Sequence, residues 1–178
     1  MKRMIVLCAL VAVALAVPAN ADETGAPETL SVEGRLEAFA VRLRLGLSVA
    51  AVAVYSPTVS DAHSQAHRLS TLLRGDDREE IPGLLTESER LPEWVASRPF
   101  GADAYRPLLA AAANVHTYLR LAGDAAAEAI RQRTLLGATR SLYEVYAYLV
   151  AAWAKPVDGV VVPGLEALLR AFDLPISP

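Results

Sequence analysis

From residue 30 onward, apolar side chains recur at spacings of three and four, the period of helices buried along one face. Leu36, Phe39, Leu43, Leu47, Ala50 and Val54 form the first such stripe, with Arg35, Arg42 and Arg44 lying off it. Gly46 to Val54 is apolar nearly all round, which predicts that this first helix is the most deeply buried. Pro57 ends it, because the residue before a proline is driven out of the helical region. A second helix opens at Thr58, where Thr58-Val59-Ser60-Asp61 has the form of a capping box. Its buried face is Val59, Ala62, Ala66, Leu69 and Leu73, and Gly75 is a natural stop. The third helix is expected from about Asp103 to Ala122, with Tyr105, Leu108, Ala112, Val115 and Leu119 inward and Pro107 near its first turn. Gly123 reads as its stop and Asp124 as the cap of a fourth helix. That fourth helix runs to about Lys155, buries Leu135, Ala138, Leu142, Val145, Leu149 and Ala152, and is ended by Pro156.

Residues 75–101 form a long connection rich in charge, proline and glycine; within it Thr86-Glu87-Ser88-Glu89 is a second capping-box pattern that opens a short helix containing Trp94. The tail from Pro163 to Phe172 reads as one short helix lying across the others, and Val157 to Val162 is the only brief alternation at period two. With short links at 55–58 and 122–124, the expected fold is all-α: an antiparallel, up-and-down four-helix bundle with a long helix 2–3 connection and a short C-terminal helix.

The first 21 residues do not belong to this pattern. Lys2 and Arg3 precede an uncharged apolar run from Met4 to Val17; Pro18 breaks the run, and Ala19-Asn20-Ala21 supplies a small-x-small cleavage site. A cleavable signal peptide over residues 1–21, cut after Ala21, implies a periplasmic or secreted protein whose mature form, residues 22–178, is one helical-bundle domain with no membrane span. The single cysteine, Cys8, lies in the removed segment, so the mature chain lacks a disulfide, a thiolate metal site and the Cys-x-x-Cys-His of covalently attached haem.

Charge narrows the partners. Losing Lys2 and Arg3 leaves 15 basic against 20 acidic residues, a net charge of −5, the wrong sign for phosphate neutralisation, so no nucleic-acid partner is expected. The 53 % hydrophobic content supports a buried core. The sequence has no Gly-x-Ser-x-Gly turn, P-loop, dinucleotide fingerprint or triad-like arrangement, and the chain does not read as an enzyme.

The chemistry that remains is nitrogen and oxygen. His63 and His67 stand four apart on the second helix, where i and i+4 side chains share a face. If the third helix ends near Leu121, antiparallel to the second, His116 lies as far from that end as His63 lies from Thr58, and Glu128 falls at the start of the fourth helix beside them. His63, His67, His116 and Glu128 are therefore candidate ligands for a Zn or Cu ion, with Glu128 either a ligand or a group orienting a ring. Tyr143, Tyr146, Tyr148 and Trp153 form an aromatic cluster with the character of a pocket wall, and Arg131, Arg133 and Arg140 a possible anion site. Two functions follow. The first is an exported bundle that binds a transition metal for buffering, sensing or delivery. The second is a cofactor-free structural or protein-interaction bundle, whose long loop or aromatic face meets another envelope protein.

Overall fold

The structure, a computed structural model, describes residues 30–76, 81–153 and 163–176. The expected signal peptide, the predicted helix stop at Pro156 and the Val157–Val162 alternation lie outside the described residues. Among the described residues, seven helices follow in chain order: α1 (Val32–Ala53), α2 (Val59–Arg74), α3 (Leu84–Ser88), α4 (Leu91–Ala96), α5 (Ala102–Arg131), α6 (Leu135–Trp153) and α7 (Leu165–Ala171). The fold is all-α. Its only extended pairing among the described residues is a two-residue antiparallel contact between β1 (Gly75–Asp76) and β2 (Ile81–Pro82).

Local signals set most boundaries. Ser31 caps α1 by accepting from the Gly34 N–H at 3.1 Å. Thr58 caps α2 by accepting from the Asp61 N–H at 3.1 Å, and its hydroxyl donates to the Asp61 carboxylate at 2.6 Å. Gly75 ends α2 with φ 96, a backbone state that costs a side-chain-bearing residue about 1–2 kcal/mol. The chain then returns so tightly that a Cβ on Gly83 would collide with backbone atoms from Leu73 to Gly75. In the connection, Thr86 lies inside α3 and caps nothing; Gly83 is the cap position, and Trp94 belongs to the separate helix α4.

A boundary between the long helices differs from expectation as well. Gly123 does not stop a helix: α5 runs unbroken through it to Arg131 and turns at Gln132–Thr134. A glycine stops a helix by taking up the left-handed conformation, and among the described residues only Gly75 and Asp173 have positive φ. Gly123 is instead fully enclosed, with the Leu85 methyl of α3 packed where its side chain would begin. The alanines around it, Ala122 and Ala125 to Ala127, are the strongest helix formers available. The real start signal is Thr134, whose hydroxyl oxygen accepts from the Gly137 N–H at 3.2 Å.

Leu36, Phe39, Leu43, Leu69, Leu119, Leu142 and Leu149 are buried in a core shared by all seven helices. α5 packs along α6 and α2, while α1 packs against α2 and α6. Arg44 lies over Trp153, whereas Ala51 and Val54 share a hollow with Tyr146 and Tyr143, so α1 and α6 run in opposite directions. α7 covers α5, with the Asn114 side-chain amide donating to the Pro163 carbonyl at 3.0 Å. The Phe172 ring meets Phe100 edge-on at 5.4 Å. Among the described residues, no helix is long and apolar enough to cross a membrane.

Candidate functional site

The longer α5 resets the register on which the histidine constellation depends. His63, in the second turn of α2, meets Gln132 at the end of α5, its Nε2 lying 2.9 Å from the Gln132 carbonyl oxygen. A carbonyl only accepts, so this nitrogen carries the proton, and the imidazole caps an otherwise unpaired helix-end carbonyl. Glu128 sits on the same turn, but both of its oxygens are engaged. Arg131 donates to Oε2 from Nε at 3.0 Å and from Nη2 at 2.6 Å, and the Gln132 amide donates to Oε1. These hydrogen bonds, Arg131 first, hold the Glu128 carboxyl below the ordinary carboxylate range.

His116 is elsewhere. It stands sixteen positions before Gln132, about 24 Å away along the helix at about 1.5 Å per residue. Its Nδ1 meets the buried Ser88 hydroxyl at 2.9 Å, and that hydroxyl also donates to the Leu85 carbonyl at 2.7 Å. With the one serine proton spent there, the imidazole must donate, so His116 ties α3 to α5 through Nδ1–H. His67 is exposed on α2. The structure thus gathers His63 and Glu128 around Gln132 and leaves His116 apart. Among the described residues no group of three or more His, Cys, Asp or Glu is arranged to hold a metal ion.

A different site emerges on the outer face of α1. Val41, Leu45, Ser48 and Val52 recur at spacings of four and three and point away from the core, giving α1 a second stripe that Tyr55 continues just past its end. Val41 and Leu45 are each 56 % exposed, Val52 65 % and Tyr55 85 %. The expectation that this helix is the most buried is therefore corrected. An all-round apolar helix at the edge of a bundle covers only one of its faces, and the other faces water. Tyr143 on α6 adds a further exposed aromatic at 61 %.

Between the two helices lies a groove. Leu47 and Ala51 of α1 face Tyr146, Val150 and Trp153 of α6 across a hollow of about 300 Å³, with Arg44 at one end. A second hollow of about 150 Å³, bounded by Val54, Tyr55 and Tyr143, adjoins the first, with Ala51 and Tyr146 lining both. No charged residue occurs between Arg44 and Asp61 on the α1 side, or between Glu144 and Trp153 on α6. The Arg44 guanidinium lies 5.0 Å from the Trp153 ring centroid, a cation–π arrangement, and its Nε is buried with no hydrogen-bond partner among the described residues. Among the described residues Arg44 forms no ion pair.

The aromatic cluster visible in the sequence thus contributes Tyr143, Tyr146 and Trp153 to this groove. The α1 wall was missed, although its second period of four and three was there to be read. Of the arginine set, Arg131 and Arg140 pair with Glu128 and Glu144 on their own helices. A third hollow, of about 280 Å³, is mixed, with Arg35, Arg90 and Glu87 beside Leu30, Pro82 and Trp94 on its walls. Comparison with protein-family models, with curated proteins and with solved structures found no match.

Proposed function

We propose that this chain is an exported, antiparallel four-helix bundle of the cell envelope, and that it acts as a cofactor-free binding protein through the α1–α6 face. The observation that carries this reading is the charge-free outer stripe of α1 beside the aromatic wall of α6. A contiguous exposed apolar surface is costly in water and marks an interaction site. The α2–α5 connection, by contrast, is packed down through α3 and α4, which bury Leu84, Leu91, Trp94 and Val95. The hydrogen bonds of His63 and His116, and the saturated carboxylate of Glu128, favour structural roles for the residues that a metal would require.

Two measurements on residues 22–178 test the reading. The first is calorimetric titration with Zn²⁺ and Cu²⁺ beside a His63→Ala/His116→Ala variant. Weak binding, unchanged by the substitutions, is expected; stoichiometric binding that vanishes in the variant would restore the metal function. The second is binding of a polarity-sensitive apolar dye. The wild-type chain is expected to enhance its emission, and Val52→Lys combined with Tyr143→Lys to abolish the enhancement. Equal enhancement by both chains would place the binding surface elsewhere.

A further inference from the structure

Resting on the binding-surface reading above, we propose that the α1–α6 groove is a site for a long-chain fatty acid, with the acyl chain along the groove and the carboxylate on Arg44. Length is the first reason. From Arg44 to Ala53, the last residue of α1, the helix rises about 14 Å at about 1.5 Å per residue, and Val54 and Tyr55 follow in the next turn. One acyl chain is about 15 Å long, since two span a hydrocarbon core of about 30 Å.

The walls are the second reason. Leu47, Ala51, Val54 and Val150 present no polar group, and the Ser48 hydroxyl donates back to the Arg44 carbonyl at 3.0 Å. A peptide lying there would leave its backbone N–H and C=O groups facing hydrocarbon, each at a cost. An acyl chain has none to leave. Tyr146 and Trp153 offer flat aromatic sides against which methylene groups pack.

The end of the groove is the third reason. Among the described residues Arg44 is its only charged lining residue, with its guanidinium carbon over the Trp153 ring. A guanidinium holds its N–H donors in one plane, the geometry that meets a carboxylate with two parallel hydrogen bonds. A buried Nε donor without an acceptor is the kind of group that a ligand satisfies. Charge, apolar length and unsatisfied donor fall in the order of a fatty acid's head and tail.

The test is titration of residues 22–178 with hexadecanoate and with hexadecylamine, both below micellar concentrations. Trp94→Phe leaves Trp153 as the only tryptophan, so quenching by a bromine-labelled fatty acid reports the groove, and native mass spectrometry of the unsubstituted chain gives the stoichiometry independently. One fatty acid per chain is expected, with the amine roughly tenfold weaker or more, as for loss of a charge-assisted hydrogen bond. Arg44→Glu should invert that preference, and Arg44→Gln should weaken the acid by roughly tenfold without gain for the amine, both with helical circular dichroism unchanged. Equal affinity for the two head groups, or indifference to both substitutions, overturns the assignment to Arg44. Failure of every alkyl ligand while the apolar dye still binds through Val52 and Tyr143 overturns the fatty-acid site but leaves the binding surface standing. Loss of dye binding as well removes both.

Discussion

Glu87 lies 2.7 Å from Arg42, yet its carboxyl is held above the ordinary range of 4.5, because lost hydration outweighs the guanidinium's attraction. Glu128 is held below it by Arg131 and Gln132. The two must act in opposite directions on stability. A raised folded-state pKa gives a contribution that is full below 4.5 and is lost as pH rises through the folded value; a lowered one gives a contribution present above 4.5 and lost as pH falls through the folded value. Melting curves taken from neutral pH down through 4.5 should therefore move in favour of the wild type over Glu87→Gln, and against it over Glu128→Gln. Shifts of the same sign in both comparisons would contradict the assignment. The Ser88–His116 contact makes a second prediction at this scale. Ser88→Ala removes the acceptor of the half-buried Nδ1–H and should cost about 1–3 kcal/mol in urea unfolding. Much of that cost should disappear in a His116→Ala background, where no imidazole is left unpaired.

Among the elements, α5 is the one whose length decides the rest. If Gly123 is an interior helical residue with only the flexible Leu85 methyl at 3.4 Å from a new Cβ, Gly123→Ala should be neutral or stabilise by up to about 1 kcal/mol. A glycine serving as a left-handed stop would respond with a loss of stability instead. Gly83→Ala is the contrasting case: its Cβ has nowhere to go but into the backbone at the end of α2, and a loss of more than about 2 kcal/mol is expected, read as a lowered melting temperature. The caps at Thr58 and Gly75 were legible because they are chain-local: a hydroxyl or a missing Cβ acts on backbone within four residues. Gly123 misled because the same residue type serves two ends, termination and close packing, and only the presence of α3 against α5 distinguishes them. The polar run Arg131-Gln132-Arg133-Thr134 carried the true break, in an interrupted apolar stripe and a capping threonine.

Taken whole, the molecule has an interior determined by inward stripes and one outer face that remains apolar. Val52→Lys should leave the unfolding free energy within about 0.5 kcal/mol of wild type, since the side chain is already in water, while the same substitution at Val145 should prevent folding. Checking both by chemical denaturation separates the stripe that builds the fold from the one available to a partner. The sequence by itself determined the helical class, most of the inward positions of the four long helices and the two caps of α2, because period and capping are properties of short stretches of chain. Only the tertiary structure decided that α5 continues to Arg131, and with it that His63 meets Gln132 while His116 meets Ser88. It also decided that the outer stripe of α1 faces solvent beside Tyr143 and Trp153. Register between helices and the exposure of an all-apolar face depend on which elements become neighbours, and no local pattern encodes that.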